Sequence, residues 1–577
     1  MSGFMSTSKQ KHRNSKSIVL NLTTTNFLVT MKKILLSLLF SFVVLQLSIL
    51  SQTPKFTHQD TLRGSITPER IWWDLTYYHL DIIVNPSDST INGINTVFYR
   101  VNAPSGIMQI DLQPPMVIYK AVQNGKTLEI KNDGNAHFIN LIDKQIPGKV
   151  NSVILTFGGR PKVAVRPPWD GGITWNKDKN GLPFIGSSCQ GLGASIWWPC
   201  KDHMYDKPDS MLISVNVPSN LTDVSNGKLR KVETLKNKTK TFHWFVSNPI
   251  NNYSVNINIG DYVSFGEKFV GENGPLDCDY WVLRDDLEKA KKQFVQVPQM
   301  LKAFEHWFGP YPFYKDSYKL VEAPYLGMEH QSSVTYGNGF RNGYLGTDLS
   351  GTGWGNKWDF IIIHESGHEW FANNVTYSDL ADMWIHESFI NYSESLFIEY
   401  YYGKDAGTEY CRGTRKNIMN DKPIIGFYNV NDEGSHDMYY KGGNMLNTIR
   451  QILNNDTKWR EILRGINKDF YHRAVTGEQI ENYMIEKTGL NLKPVFNQYL
   501  GDIRIPVFEY SIINGVLNFR WNNCVKGFNM PLKIYIDRKP VIVNPSDKFS
   551  SMKLDSVSPE ITVDKDYYVA VLNILGK

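Results

Sequence analysis

The stretch FIIIHESGH at residues 360–368 joins an apolar run to a polar cluster. On an α-helix, His364 and His368 are four residues apart and lie on one face, so both imidazoles can reach a single ion. The apolar run predicts a buried helix, and buried polar side chains need a partner, which a metal ion supplies. Zinc favours imidazole nitrogen and requires a third protein ligand and an open position for water.

Glu365 follows the first histidine and can reach a water molecule held at such a metal, so we predict it to be the general base. Gly367 costs about 1 kcal/mol relative to alanine inside a helix, which indicates a packing or functional reason for its presence. The alternative is that the pattern arose by chance on an ordinary helix, which we expect on the order of once in a hundred chains of this length.

The third ligand is expected to be a carboxylate on a neighbouring helix. The segment WIHESF at 384–389 supplies Glu387, and eighteen residues separate it from His368, enough for a reversal of the chain and one helical turn. Seven residues later, Glu394 falls on the same helix face and can accept a hydrogen bond from a ligand imidazole. A solvated helix charge is the alternative for Glu394. His386 is expected to neighbour the ligands without binding the metal.

The amino terminus has the pattern of an export signal. Met31-Lys32-Lys33 precedes an apolar run from Ile34 to Leu50, which ends at the small residue Ser51. We therefore predict that the true start is Met31, that the signal is cleaved near Ser51-Gln52, and that the protein is periplasmic or extracellular. An uncleaved membrane anchor is the alternative, but the run is short for a span and lacks a basic flank. After cleavage, no stable membrane insertion is expected.

The formal net charge of +5 originates in this amino terminus. Residues 1–51 contain basic side chains and no acidic ones, so the rest of the chain is nearly neutral and the sequence predicts no nucleic-acid partner. The five cysteines are too sparse for a disulfide framework and show no paired metal spacing. Cys189 and Cys200 are the nearest pair. We expect buried free thiols, with a disulfide as the alternative that export permits.

Hydrophobic periodicity divides the 577 residues into successive parts. After the extension and signal at 1–51, short alternating segments with Gly, Pro and Asn turns predict an antiparallel β domain over 52–265. Helical spacing then predicts a helix-rich catalytic domain over 266–504. The tail at 505–577 returns to strand patterns and predicts a small β domain.

These residues together resemble a known family. His364-Glu365-x-x-His368 followed by Glu387 is similar to the metal motif of the aminopeptidase-N and leukotriene hydrolase type of zinc aminopeptidases, which are gluzincin metallopeptidases. The resemblance covers roughly residues 70–505. Three further segments agree with the family in order and spacing: FGPYPF at 308–313, LGMEH at 326–330 and YYKG at 439–442.

The resemblance implies a multidomain α+β fold with an antiparallel β saddle domain, a thermolysin-like helix-rich catalytic domain and a small β-sandwich-like carboxy-terminal domain. It implies hydrolysis of the first peptide bond of peptides that have a free amino terminus. One zinc ion per chain would be held by His364, His368 and Glu387. Tyr439 is placed by the resemblance to donate a hydrogen bond to the oxyanion, although packing is the alternative for any single tyrosine.

Further site residues follow from the same resemblance. Glu329 is the expected anchor for the substrate's α-ammonium group, and Gly327 and Met328 belong to the same exopeptidase motif and are expected to line the substrate site. Gln190 matches a position at which the family's β domain adds a polar contact, and a loop residue without a role is the alternative. Four residues depart from the family pattern and bear on pocket shape and substrate preference: Leu326, His330, His386 and Ser388.

Several functions remain open from the sequence. A thermolysin-type endopeptidase would share the three ligands but would need no amine anchor, and leukotriene-type epoxide opening is another enzyme function. A binding protein without turnover is the remaining class, although the retention of Glu365 and Tyr439 argues against it. We expect no counterpart of the family's carboxy-terminal helical domain, because a β-patterned tail follows residue 505. Zinc content and cleavage of an aminoacyl amide discriminate among these functions.

Overall fold

A computed structural model describes residues 55–555 and 559–575. The predicted start at Met31 and the predicted signal with its cleavage near Ser51 lie outside these residues. Within the described ranges, no helix is both long enough and apolar enough to cross a membrane. Cys189 and Cys200 are both buried as free thiols and do not form a disulfide.

The amino-terminal domain consists of β-sheets preceded by two short helices, α1 (His58–Gly64) and α2 (Pro68–Ile71). Its strands are β1 (Trp73–Asn85), β2 (Thr90–Val101), β3 (Ile107–Asp111), β4 (Val117–Gln123), β5 (Lys126–Thr127), β6 (Glu129–Asp133), β7 (Ala136–Asn140), β8 (Val150–Gly159), β9 (Gly172–Lys177), β10 (Pro183–Ser188), β11 (Ser210–Pro218), β12 (Thr222–Val224), β13 (Lys228–Thr234), β14 (Thr239–Val246) and β15 (Asn258–Gly260).

These strands form an eight-stranded sheet in the order β13-β14-β11-β1-β2-β8-β4-β5, a four-stranded sheet β12-β15-β10-β9 and a three-stranded sheet β3-β7-β6. Strand β1 has the alternating pattern that favours an extended conformation. Tyr78, Leu80 and Ile82 occupy every second position, point inward and are fully buried. Neighbouring strands are antiparallel except for β1 and β11, which run parallel.

The catalytic domain begins with a five-stranded sheet in the order β16-β17-β18-β20-β19. Its strands are β16 (Tyr262–Gly271), β17 (Gly274–Leu283), β18 (Tyr318–Glu322), β19 (Gly327–Met328) and β20 (Val334–Tyr336). Strand β16 spans the predicted boundary at residue 265 and pairs along its whole length with β17. The two-residue strands β21 (Thr376–Tyr377) and β22 (Ala474–Val475) pair separately in parallel.

Helices fill the rest of this domain: α3 (Leu287–Gln293), α4 (Gln296–Phe308), α5 (Phe360–Gly367), α6 (Trp384–Tyr402), α7 (Lys404–Thr414), α8 (Tyr440–Leu453), α9 (Asp456–Asp469), α10 (Gly477–Thr488) and α11 (Lys493–Gly501). Helix α4 buries Met300, Leu301 and Phe304 at helical spacing. It ends at Phe308, because the next residue, Gly309, has a φ of 95°, which is incompatible with an α-helix. Helix α6 is buried along nearly all of its length, so the polar residues on it are interior groups.

The carboxy-terminal domain contains two small sheets, in the orders β27-β24-β23-β29 and β26-β25-β28. Its strands are β23 (Val507–Ile513), β24 (Val516–Asn522), β25 (Leu532–Ile536), β26 (Lys539–Val543), β27 (Ser550–Lys553), β28 (Ile561–Val563) and β29 (Ala570–Asn573). The predicted order of a β domain, a helix-rich catalytic domain and a small β domain is confirmed.

Candidate active site

Two buried helices carry the predicted metal ligands. Helix α5 begins after Asp359, whose side chain accepts hydrogen bonds from the backbone N–H groups of Ile361 and Ile362. The helix ends at Gly367, and His368 follows with φ −61° and ψ −15°, so the chain stays helical through the second histidine. The rings of His364 and His368 lie edge to face with their centroids 5.2 Å apart.

Close packing between two helices accounts for the glycine at position 367, as predicted from the sequence. A Cβ added there would lie 3.2 Å from both Ile390 Cδ1 and Ser393 Oγ on helix α6. Helices α5 and α6 therefore approach closely at the level of the metal ligands. This approach brings Glu387, in the first turn of α6, to the two histidines.

The three predicted ligands converge on one point. Glu387 Oε2 lies 3.8 Å from His364 Nε2 and 3.5 Å from His368 Nε2. One ligand atom from each residue lies within 4.8 Å of the others. Among the described residues, the buried Glu387 Oε2 has no hydrogen-bond partner, and a buried carboxylate oxygen without a partner is costly. Two imidazoles and this carboxylate fit zinc.

Hydrogen bonds on the opposite ring nitrogens orient both imidazoles. His364 Nδ1 donates to Glu394 Oε1 at 2.8 Å, and His368 Nδ1 donates to the Phe371 carbonyl at 3.0 Å. Each Nε2 lone pair is therefore free to face Glu387. Glu394 is buried and also accepts a hydrogen bond from the Tyr410 hydroxyl at 2.8 Å, so it is an interior group and not a solvated helix charge.

Glu329 and Gln190 meet beside the ligand set. Gln190 Nε2 donates to Glu329 Oε1 at 2.6 Å and to Glu387 Oε1 at 3.3 Å. Glu329 is buried at the end of β19, and its backbone carbonyl accepts a hydrogen bond from Asn373 Nδ2 at 2.9 Å. Through Gln190, the β domain makes the predicted polar contact with the catalytic domain at the site.

Three neighbouring carboxyl groups give the site its electrostatic character. Burial raises the pKa of Glu329 to about 7. Burial also raises the pKa of Glu365 and of Glu387, and repulsion from Glu329 adds to both shifts. Carboxylates crowded in this way are stabilised by cations, so the arrangement favours a metal ion and a second positive group beside it.

Tyr439 stacks on His364, one of the predicted metal ligands. Its ring lies nearly parallel to that of His364, with centroids 6.1 Å apart and an interplanar angle of 24°. Ser388, a departure from the family pattern, donates from Oγ to the Met438 carbonyl at 2.7 Å and so ties helix α6 to the residue before Tyr439. A Cβ on Gly442 would collide with this same Ser388 hydroxyl, which accounts for glycine at that position.

Gly327 and Met328 form strand β19 on the wall of the site. Met328 is buried and lines the cavity. A Cβ added to Gly327 would lie 2.7 Å from Ile361 Cγ2 and 3.1 Å from Glu365 Oε1. Glycine therefore lets β19 pass close to helix α5 and to the carboxylate of Glu365.

We expect Gly327→Ala to displace Glu365 and to lower kcat by at least about tenfold, because small misplacements of catalytic groups are costly. Overpacking is also expected to cost about 1–3 kcal/mol of the free energy of unfolding. Steady-state kinetics and thermal unfolding measure the two effects. Gly106→Ala, where no atom lies within 4 Å of the added Cβ, is the matched control. Unchanged kcat in Gly327→Ala would show that this contact does not position Glu365.

The two histidines that depart from the family pattern are both buried. His386 Nε2 accepts the Tyr377 backbone N–H at 3.2 Å, and its ring packs on that of Tyr377 with centroids 4.1 Å apart. This bond directs Nε2 away from the ligand set, as expected for a residue that does not bind the metal. Within the described part of the chain, neither ring nitrogen of His330 has a hydrogen-bond partner.

A cavity of about 1070 Å³ opens above these groups. It is lined by residues of both the β domain and the catalytic domain, among them Arg166, Trp169, Gln190, Leu326, Met328, Glu329, Tyr344, Phe360, His364, Glu365, His368, Glu387, Asn417, Lys422, Glu433, Tyr439 and Tyr440. Such a volume accommodates a short peptide.

Some residues of the site were not identified from the sequence. Asn373 donates a hydrogen bond to the Glu329 backbone. Its position in the turn after helix α5, five residues beyond His368, could have marked it as a candidate site residue from the sequence. Tyr253 and Tyr377 lie near Glu329 and Glu387 and have their pKa values raised by burial and by these carboxylates. No local pattern distinguishes these two tyrosines from others in the chain.

The fold is similar to that of solved zinc metallopeptidases, and the arrangement of His364, His368 and Glu387 fits a zinc site. The sequence profile of the family described as "Peptidase family M1 domain" matches residues 293–499. The match covers less than half of the chain, and residues 293–499 are similar to a peptidase family M1 domain. The resemblance predicted from the sequence motifs is confirmed.

Solved structures and curated relatives agree with this assignment. The M1 zinc metallopeptidase from Deinococcus radiodurans has a similar fold, with a TM-score of 0.64 and 19% identity over 76% of this chain and 96% of that chain. A mutant of it was solved with a Tyr-Ser-Ala substrate bound, with the same TM-score and identity. A two-domain M1 zinc metallopeptidase mutant was solved with L-tryptophan, with a TM-score of 0.63 and 20% identity over 74% of this chain and 94% of that chain.

Among curated proteins, endoplasmic reticulum aminopeptidase 1 of Rattus norvegicus is 23% identical over 51% of this chain and 32% of its own length. Leukotriene A-4 hydrolase of Xenopus laevis is 24% identical over 56% of this chain and 53% of its own length. The chain therefore spans about a third to a half of the length of these curated relatives.

Proposed function

We propose that this protein is an aminopeptidase that removes the first residue from peptides by hydrolysis, with one zinc ion per chain. The observation that carries the proposal is the contact of Gln190 with both Glu329 and Glu387, which places a buried carboxylate beside the ligand set. An enzyme that cleaves within a chain has no need of this charge next to its metal. An enzyme that must hold an α-ammonium group does.

In this proposal, Glu329 binds the substrate's α-ammonium group, and Gln190 holds the carboxylate in place. Burial and mutual repulsion destabilise the charged forms of Glu329, Glu365 and Glu387. The positive charge of the bound amine reduces this repulsion and so stabilises the charged carboxylates. Met328 and Gln190 line the cavity beside Glu329, where the amino terminus of a bound peptide would lie.

His364, His368 and Glu387 would hold the zinc ion, which when bound polarises the scissile carbonyl and lowers the pKa of water. Glu365 takes the proton of the attacking water on its carboxylate and passes it to the leaving amine. Burial raises the pKa of Glu365 above its ordinary value, which makes its carboxylate a stronger base. Tyr439 donates a hydrogen bond from its hydroxyl to the oxygen of the tetrahedral intermediate.

Hydrolysis of chromogenic aminoacyl amides by the purified protein tests this function. We expect cleavage of free aminoacyl amides, loss of activity when a chelator removes the metal, and recovery when zinc is returned. A panel of amides with different first residues also reveals the preferred residue. Absence of cleavage across the panel by zinc-loaded protein would contradict the proposal.

Glu329→Ala separates the aminopeptidase from a thermolysin-type endopeptidase. Truncating one partner of a buried charge pair costs about 2–5 kcal/mol, so kcat/KM for a free aminoacyl amide is expected to fall by roughly 30-fold or more. The protein should keep its zinc, because Glu329 lies outside the ligand set. Steady-state kinetics and metal analysis measure both quantities. An endopeptidase would instead lose little activity on internal peptide bonds in this variant.

We also propose that the protein is exported and that it lacks a membrane anchor after processing. The apolar run from Ile34 to Leu50, preceded by two lysines and followed by Ser51, supports this proposal. Expressed from Met31 in a bacterial host, the protein should be released by osmotic shock with a new amino terminus near Gln52. A chain that still begins at Met31 and sediments with membranes would favour the anchor.

A further inference from the structure

Helix α1 ends directly against the turn that carries Gln190. Arg63, in the last turn of α1, donates from Nη2 to the carbonyl of Gly191 at 2.6 Å. The two residues are 128 positions apart in the chain. The guanidinium therefore fixes the peptide group between Gly191 and Leu192, one residue beyond Gln190, and Gln190 contacts both Glu329 and Glu387.

The turn itself depends on glycine and on this contact. Gly191 and Gly193 have φ values of 74° and 88°, a conformation that favours glycine. The Leu192 N–H donates to the Gln190 carbonyl at 2.9 Å, which closes the turn. A Cβ on Gly193 would lie 2.7 Å from Arg63 Nη2, so the guanidinium packs against the turn as well as bonding to it.

The end of α1 is itself held by the β domain. Arg70 Nη1 donates to the carbonyls of Leu62, Arg63 and Ser65 at 2.8, 3.0 and 2.8 Å. Arg70 Nη2 pairs with Asp111 at 2.6 Å, and both side chains of this pair are buried. These hydrogen bonds fix the backbone at Arg63, so its side chain reaches the Gln190 turn from a constrained position.

On its other side, the end of α1 abuts a loop of the catalytic domain. A Cβ added to Gly64 would collide with the backbone of Val430, so helix and loop are in close contact. In the same loop, Asn431 Nδ2 donates to the Gly191 carbonyl at 3.5 Å, and Asn431 and Glu433 line the cavity. Arg63 therefore lies where the Gln190 turn, the amino-terminal helix and the wall of the cavity meet.

We propose that Arg63 is a positioning residue for the amine subsite: it holds the Gly191 carbonyl so that the Gln190 amide stays between Glu329 and Glu387. Arg63 acts through Gln190 and does not touch the substrate. The inference rests on the proposed aminopeptidase function, because it assigns a purpose to the subsite that Glu329 forms.

The expected effect of losing Arg63 falls on substrate binding. The amine contact is made in both the bound substrate and the transition state, so weakening it raises KM and leaves kcat nearly unchanged. In Arg63→Met, KM for a free aminoacyl amide should rise about tenfold, with kcat within about threefold of wild type. Arg63→Lys restores a cationic donor and should recover most of the loss. Zinc content should be unchanged in both variants.

His58→Ala is the matched control, because His58 lies on the same helix and pairs with Asp133 at 2.8 Å, away from the turn. It should leave KM at the wild-type value. If Arg63→Met does not fold, Arg63→Gln takes its place with the same expected rise in KM. An unchanged KM in the folded variant, or a fall in kcat that lysine does not rescue, would overturn the proposal.

A binding measurement separates this inference from the proposed function. The thermal shift produced by a free amino acid amide should be smaller in Arg63→Met than in wild type, whereas the N-acetyl form should produce little shift in either. If wild type cleaves no free amide but binds it in an Arg63-dependent way, the proposed function fails and the role of Arg63 stands. If the shifts in Arg63→Met and wild type are equal, the role of Arg63 fails.

Discussion

Glu365→Gln is expected to lower kcat by about 10²–10⁴-fold while the protein keeps its zinc. The glutamine amide has the size of the carboxylate but cannot take a proton from water. Glu365 lies outside the converging set of His364, His368 and Glu387, so the metal should remain bound. Steady-state kinetics on a free aminoacyl amide and metal analysis of the same preparation measure the two properties together.

Glu369→Gln is the matched control for this substitution. Glu369 is a buried glutamate four residues along, its Oε1 accepts the Ser332 N–H at 2.7 Å, and it is not among the residues that line the cavity. Burial raises its pKa to about 8, so an uncharged amide is a close replacement for its protonated form. The control should retain most activity. If Glu365→Gln were as active as this control, Glu365 would not be the base.

The second large effect is expected at the metal. Glu387→Gln should reduce the affinity for zinc, and activity should fall with metal content, because Glu387 Oε2 is the carboxylate oxygen that faces both Nε2 atoms. Glu394→Gln should weaken zinc binding less, by about 10–100-fold, because Glu394 acts through the ring of His364. Competition with a chromogenic chelator gives both affinities.

Adding excess zinc distinguishes a variant that has lost a zinc ligand from a variant that no longer folds. Activity of Glu394→Gln should return at high zinc, and activity of Glu387→Gln should return less completely. Glu365→Gln, which should bind zinc as wild type does, is the reference for a variant that is inactive but loaded. Wild-type zinc affinity in Glu387→Gln would contradict the assignment of the third ligand.

Local sequence patterns predicted which side chains converge at the proposed metal site. The spacing of His364 and His368 and the position of Glu394 seven residues after Glu387 are properties of single helices, and the structure brings these side chains together as that spacing predicts. The reason is that helical geometry fixes which neighbours share a face. The order of the three domains was predictable for the same reason, since strand and helix periods are local.

Contacts between distant segments were not predictable in this way. Gln190 and Glu329 are 139 residues apart, and only the family resemblance suggested that they meet. The role of Ser388 could not be anticipated, because its partner is a carbonyl on another element. The predicted boundary at residue 265 falls inside β16, because an alternating pattern predicts a strand but does not say which sheet the strand joins.

The most direct test of the central claim compares one aminoacyl amide with its N-acetyl form on the wild-type protein. Acetylation removes the positive charge that Glu329 is proposed to bind and adds bulk beside that carboxylate. We predict efficient cleavage of the free amide and a kcat/KM at least about 10²-fold lower for the acetylated amide, which corresponds to the loss of a buried charge pair. Equal kcat/KM values for the two substrates would contradict the aminopeptidase assignment and favour a thermolysin-type endopeptidase.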